Sequence, residues 1–255
     1  MKYLIFIIFL PIAAFAESIT VALYEDHELY SKHSRAYQAN WVLLQEAAAI
    51  EGITLKASPY LWIRGLEELK QNKIDAVIGA YFSKDRSTLY YFSKPFSQDP
   101  IYLFRSAKNA ASTTKIQNAL VGVTSNSIGE SLVSNNNEFS VYKKSSSKEV
   151  FNLLENGRLD YAVFSQSVAH KHCLTVANIE LKKDCLVPVG SAIKNNGFHI
   201  MFSKTSKNRA IQKRIDFAVD TLISDGKAKA IYIGSGYSAQ EYNNWLELRN
   251  KWQNK

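Results

Sequence analysis

Few of the residues in this chain whose types could do chemistry stand at a spacing that points to it. Glu25, His27 and Glu28 cluster just after a predicted strand, where a carboxylate or imidazole facing a crevice could move a proton. No paired carboxylates stand at a motif spacing and no Ser/His/Asp signature occurs, so catalysis is the weaker reading. The two cysteines, Cys173 and Cys185, both fall in the second half. With His170 and His172, Cys173 could begin a metal site, but no second His/Cys cluster completes a tetrahedral set, and no metal or cofactor is expected. In an oxidising compartment an isolated pair is expected to form a disulfide, and closing so short a loop would add about 3 kcal/mol in the chain-entropy model.

The elements that must position any such groups are announced by a phrase that occurs twice. Leu69-Lys70-Gln71-Asn72-Lys73-Ile74-Asp75-Ala76-Val77-Ile78 is matched by Leu154-Glu155-Asn156-Gly157-Arg158-Leu159-Asp160-Tyr161-Ala162-Val163. Each copy reads as a helix end, a basic residue, an apolar residue, an aspartate and a strand covered on both faces. Two similar α/β units in one chain leave a crevice between them, and such folds hold ligands at the carboxyl ends of their parallel strands. Asp75 and Asp160 themselves are expected to serve the turn and the backbone.

The chain of 255 residues, with 46% hydrophobic and 21% charged content, has material for two modest cores or one large one and reads as globular rather than disordered. Lys2, the apolar run Tyr3 to Ile12 and the small residues around Ala14-Phe15-Ala16 read as a secretory leader over 1–16, so the mature chain is expected to start near Glu17. No later segment approaches the length of a membrane span and no lipobox is present, so a protein soluble and outside the cytoplasm is expected. The formal charge of +8 falls by one when Lys2 leaves, and could steer anionic solutes or simply keep the surface soluble. Basic residues are scattered without a recognised motif, which argues against nucleic acid as a partner.

Along the chain, Ser18 to Leu23 alternates as a first strand, with Tyr24 to Glu28 as the loop at its carboxyl end. Gln38 to Glu51 reads as a helix capped by Gly52, Ile53 to Ser58 as a second strand and Ala76 to Ala80 as a third. Phe92 to Phe104, punctuated by Pro95 and Pro100, reads as a crossover between lobes. Leu120 to Val123 begins a new strand, and Ser127 with Glu130 and Ser146 with Glu149 have the spacing of capping boxes. Phe198 to Phe202 reads as the return crossover, Asn208 to Asp225 as an amphipathic helix ended by Gly226, and the remainder through Trp245 and Trp252 as helical.

The stretch from Trp62 to Phe96 resembles the extracytoplasmic solute-binding proteins of family 3, the polar amino-acid receptors of ABC transporters. It carries Lys73-Ile74-Asp75-Ala76-Val77, then Ser83-Lys84-Asp85-Arg86, then Phe92-Ser93-Lys94-Pro95-Phe96. The resemblance extends over almost all of the mature chain. It implies an α/β, two-lobed type II periplasmic-binding-protein fold with two crossover strands. The first lobe would occupy 17–104, the second 105–197, and 198–255 would return to the first lobe.

The same resemblance implies that Arg86 clamps a ligand carboxylate, for which a guanidinium offers paired donors in a rigid fork. The plainer alternative is a surface arginine paired with Asp85. Thr124 and Ser125 match the turn before a helix where hydroxyls and free amides would hold the other side of the carboxylate, although both also suit a simple cap. Tyr24, Trp62 and Tyr81 fall near the expected crevice and could stack on a flat or apolar part of a ligand, while Trp62 also suits a core.

The chain departs from the family at Ser165, where amino-acid-binding members commonly carry the aspartate that receives the ligand's ammonium. A neutral hydroxyl does not offset desolvation of an ammonium, so a plain α-amino acid is an expected ligand only if Glu25, Asp26 or Glu28 substitutes. The loop before Arg86 is also one residue shorter than usual. What the resemblance implies overall is a monomer that captures a small polar, carboxylate-bearing solute and delivers it to ABC-transporter membrane subunits. An enzyme on the same fold, dehydratase-like or peptidoglycan-cleaving, and a receptor for a membrane sensor are the alternatives.

Overall fold

The structure is a computed structural model that describes residues 17–109, 116–134, 137–176 and 185–252; the expected leader lies outside them. The first half alternates strand and helix: β1 (Ser18–Tyr24), α1 (His27–His33), α2 (Arg35–Ile50), β2 (Thr54–Tyr60), α3 (Trp62–Lys70), β3 (Ala76–Tyr81) and α4 (Lys84–Leu89). Three short strands follow, β4 (Tyr90–Phe92), β5 (Ser97–Gln98) and β6 (Ile101–Ser106). The pattern then repeats as β7 (Ala119–Thr124), α5 (Ile128–Val133), β8 (Phe139–Lys144), α6 (Ser147–Glu155), β9 (Tyr161–Ser165) and α7 (Gln166–Val176). The chain closes with β10 (Leu186–Lys194), β11 (Gly197–Ser203), α8 (Ser206–Ser224), α9 (Lys227–Gly234) and α10 (Ala239–Asn250).

Two sheets result, ordered β2-β1-β3-β11-β4 and β8-β7-β9-β6-β10, with β5 paired to β11. In each, three parallel strands are followed by an antiparallel strand belonging to a crossing segment, β11 in the first sheet and β6 in the second. The chain passes to the second sheet between β5 and β6, at Asp99-Pro100, and returns between β10 and β11, at Asn195-Asn196. The boundary drawn at residue 104 from sequence therefore falls inside β6. The two crossings touch, with the Asp99 amide donating to the Asn196 carbonyl at 3.2 Å.

The repeated phrase has one physical explanation in both lobes. Asn72 and Gly157 end their helices in the left-handed region, at φ 56° and 67°. The next amide in each copy bonds back five residues, Lys73 to the Glu68 carbonyl and Arg158 to the Leu153 carbonyl, which closes the helix end. Asp75 then exchanges bonds with Thr20 of β1 through its amide (2.9 Å) and its carboxylate (2.8 Å), and Asp160 does the same with Leu120 of β7 (3.0 and 2.8 Å). Both aspartates thus set strand register, as expected. The strands they introduce, β3 and β9, are buried along their whole length.

The first sheet is covered by α2, through Leu43, Leu44 and Ala47, and by α8, through Ile211, Ile215 and Leu222. Each large aliphatic side chain so buried contributes about 1.5–3 kcal/mol. The C-terminal helices pack on this lobe, where the Trp245 indole donates to the Pro95 carbonyl at 2.9 Å. The second sheet packs Val150, Phe151 and Leu154 of α6 against Phe104 and Phe164.

Five elements, α1, α4, α7, β8 and β10, were not anticipated. Helix α1 begins inside the stretch read as a loop, because its one buried residue, Tyr30, leaves no apolar period to detect; packing against α2 and α7 sustains it. Helix α7 and strand β10 likewise carry no clear period. Neither predicted capping box is complete. Ser127 and Ser146 accept from the amides of Glu130 and Glu149, but those carboxylates bond Asn126 N–H and the Ser145 hydroxyl instead of closing the box.

Candidate functional site

The carboxyl ends of β1, β3, β7 and β9 face a cavity of about 150 Å³ between the two sheets, a size for a small solute. Seven of the eight residues marked from sequence line it: Tyr24, Glu25, Trp62, Tyr81, Arg86, Thr124 and Ser165. Ser125 is the exception. Its amide bonds the Lys144 carbonyl at 2.8 Å, and Ser127, two residues on, reaches the cavity instead.

Arg86 sits in the first turn of α4, where Ser83 caps its amide at 3.3 Å. Its guanidinium donates to the Tyr81 carbonyl at 3.0 Å and, across the cleft, to the Asn126 carbonyl at 2.5 Å. It lies 5.6 Å from the Trp62 ring centroid. Among the described residues it has no ion-pair partner, so the pairing with Asp85 considered from sequence is absent, and burial lowers its pKa from the usual arginine range. A cation held this way favours an incoming anion. Two further donors favour the same reading: the Thr124 hydroxyl and the Trp62 indole nitrogen are buried with no hydrogen-bond partner among the described residues.

Aromatic side chains form the wall on the first-sheet side. Tyr24 donates to the Gly79 carbonyl at 2.7 Å, and its ring meets Tyr30 at 5.0 Å, Tyr37 at 4.9 Å and Trp62 at 6.2 Å. Gly79 has φ 79°, and a Cβ there would lie 2.5 Å from Phe198 and 2.7 Å from the Tyr24 hydroxyl, so only glycine admits this packing. Burial pushes the phenols of Tyr24 and Tyr81 well above the usual tyrosine range and keeps them neutral donors.

Of the acids considered as replacements at Ser165, Glu25 is exposed at the rim and Glu28 does not line the cavity. Asp26 is paired with Lys171, whose ammonium also lies 5.3 Å from the Tyr30 ring. That pair and the Arg86–Asn126 bond join the two lobes on the two sides of the cleft. Tyr30, Ser127 and Lys171 were not marked from sequence, because nothing in their local pattern points to the cleft.

The cysteines form the expected disulfide, Cys173–Cys185, with Cα atoms 5.2 Å apart. Its sulfurs are therefore not thiolates. The metal alternative built on His170, His172 and Cys173 is overturned on that ground, and His172 instead bonds Glu155 at 3.0 Å and stacks on Phe151 at 4.1 Å.

The sequence matches the profile of bacterial extracellular solute-binding proteins, family 3, over residues 40–233. The chain belongs to that family. Comparison with curated proteins returns no match. Among solved structures, this family member is similar to an arginine transport-system periplasmic binding protein from Legionella pneumophila, at TM-score 0.69 and 16% identity, covering 86% of this chain and 99% of that one. It is also similar to an amino acid ABC transporter substrate-binding protein from Streptococcus pneumoniae bound to L-arginine (TM-score 0.65, 17% identity, 86% and 94% covered). The GluR0 ligand-binding core from Nostoc punctiforme in complex with L-glutamate is a third (TM-score 0.64, 18% identity, 84% and 97% covered). At these identities the likeness is one of fold: a cationic and an anionic amino acid are held on the same frame. No helix among the described residues is long and apolar enough to cross a membrane.

Proposed function

We propose that this protein captures a small carboxylate-bearing solute, an amino acid or close relative, in the periplasm and presents it to the membrane subunits of an ABC transporter. The observation that carries this reading is Arg86, half-buried in the cleft with no acidic partner among the described residues, and lining the same cavity as the Thr124 hydroxyl and Trp62 indole, which have no hydrogen-bond partner among those residues. In this reading Arg86 forks onto the carboxylate from one lobe while Thr124 donates from the other, so that only a closed cleft satisfies both. The lobes hinge at Asp99-Pro100 and Asn195-Asn196, and closure is what the transporter senses. Tyr24, Tyr81 and Trp62 contact the rest of the solute, and Ser165 bonds its polar end. The protein acts as a monomer and catalyses nothing; Glu28 does not line the cavity and Glu25 is exposed at its rim.

The test is native mass spectrometry of the purified mature protein, followed by denaturing release of any bound molecule and thermal-shift measurements with the common amino acids and related carboxylates. A carboxylate that co-purifies or raises the melting temperature at sub-millimolar concentration supports the proposal. Binding of an uncharged solute without a carboxylate, undiminished in Arg86→Ala, refutes it.

A further inference from the structure

Asp99 is a carboxylate that neither the resemblance nor the cleft chemistry above uses. It lies on the first crossing, two residues before Ile101, and Ile101 pairs with Ser165 in the β6–β9 ladder. That register sets Asp99 directly behind the cavity. Tyr81, which lines the cavity, donates its hydroxyl to one carboxylate oxygen at 2.8 Å, and the Ser167 amide donates to the other at 3.0 Å. Asp99 is 2% exposed and has no ion-pair partner among the described residues. Arg35, the arginine bordering the second, hinge-side cavity that Asp99 also touches, is committed to Glu241 at 2.9 Å.

A buried carboxylate without a cation is costly, and its retention calls for a reason. Both oxygens receive donors, so the group is held as an acceptor with no neighbour arranged to take a proton from it. Burial raises its pKa, while hydrogen bonds from Tyr81, Ser167 and Ser165 oppose that rise. Tyr81 thus bridges Asp99 and the cavity, and Ser165, the strand residue paired with Ile101 two residues beyond Asp99, lines the cavity.

We infer that Asp99 is the counter-charge for a cationic group on the ligand, acting one residue layer behind the position that Ser165 leaves neutral. It is a positioning residue: Tyr81 and Ser165 touch the ligand, and the fixed charge behind them favours an ammonium over a neutral group at that end. The solute is then a zwitterion, with its carboxylate on Arg86 and its ammonium toward Ser165. This rests on the proposed carboxylate-binding function.

The experiment compares each common L-α-amino acid with its α-keto acid, by calorimetry, on the full mature protein and its Asp99→Asn variant. The wild type is expected to prefer at least one amino acid over its keto acid. Asp99→Asn should shrink that preference on the order of ten- to a hundredfold while leaving keto-acid affinity within a fewfold, and Ser165→Asp in the same background should restore it. An unchanged amino-to-keto ratio in Asp99→Asn overturns the inference and leaves the carboxylate site standing; no binding by either series overturns both. Should Asp99→Asn not fold, Ser165→Asp alone decides. With a charge already behind it, a second carboxylate in contact must share a proton and gains less than about threefold. A gain of tenfold or more shows that the site lacked a negative charge, and overturns the inference.

Discussion

Replacing Arg86 by alanine should abolish useful solute binding while leaving the fold intact. A bidentate contact to a carboxylate is two charge-assisted hydrogen bonds, each about 1.5–3 kcal/mol. The guanidinium must first release its bonds to the Tyr81 and Asn126 carbonyls, so the lower end, about 3 kcal/mol in all, is the better estimate. That corresponds to roughly a hundredfold rise in Kd. Arg86→Lys keeps the charge but not the fork and should cost about tenfold. Stability should change little, because the bond from the Arg86 amide to Ser83 is a backbone cap that alanine retains, and the donors lost to the Tyr81 and Asn126 carbonyls are offset by relief of a half-buried cation's desolvation. A shift within about 1 kcal/mol is expected. The assay is calorimetric titration with whichever amino acid or carboxylate stabilises the wild type in a thermal-shift screen, alongside thermal melting of the ligand-free variants. Affinity unchanged in Arg86→Ala would remove this residue from the site, and a collapsed melting transition would make its role structural.

Reduction of Cys173–Cys185, which closes a loop of sequence separation 12, should lower stability by about 3 kcal/mol in the chain-entropy model; thermal unfolding with and without reductant measures it, and no shift would contradict the loop-closure reasoning. Lys171→Ala breaks the pair with Asp26 across the cleft, and because exposed pairs are worth at most about 1 kcal/mol, the ligand-free closed population should fall by up to about fivefold, seen as a larger radius of gyration in solution scattering. His199 is 1% exposed, bonds the Ser93 carbonyl at 2.9 Å, and burial lowers its pKa to about 4. Its neutral form is favoured in the fold, so its contribution is present above the unfolded value of about 6.5 and is lost as pH falls toward 4, on the order of 3 kcal/mol. Denaturant unfolding of wild type and His199→Gln across pH 4–7 should therefore converge toward acid, and parallel curves would contradict this.

The features legible before folding are local and periodic. The doubled phrase is legible because helix closure, the left-handed residue and the strand-bonding aspartate all lie within ten residues, so the same physics writes the same letters twice. Arg86, Thr124 and the aromatics were legible through motifs tied to strand ends, and Cys173 and Cys185 because two cysteines allow one pair. What tertiary structure alone decided is which distant residues meet. Tyr30 and Lys171 enter the cleft because α1 packs on α7, a contact between segments with no apolar period of their own. Ser125 turns toward β8 while Ser127 reaches the cavity, because the β7–β8 ladder claims the Ser125 amide. Asp99 stands behind Ser165 because β6 crosses from one sheet to pair with β9 of the other, at a sequence separation that no local pattern spans. Charge at a binding site is a sum over space, and a neutral letter at one position says little until the fold shows which charges lie behind it.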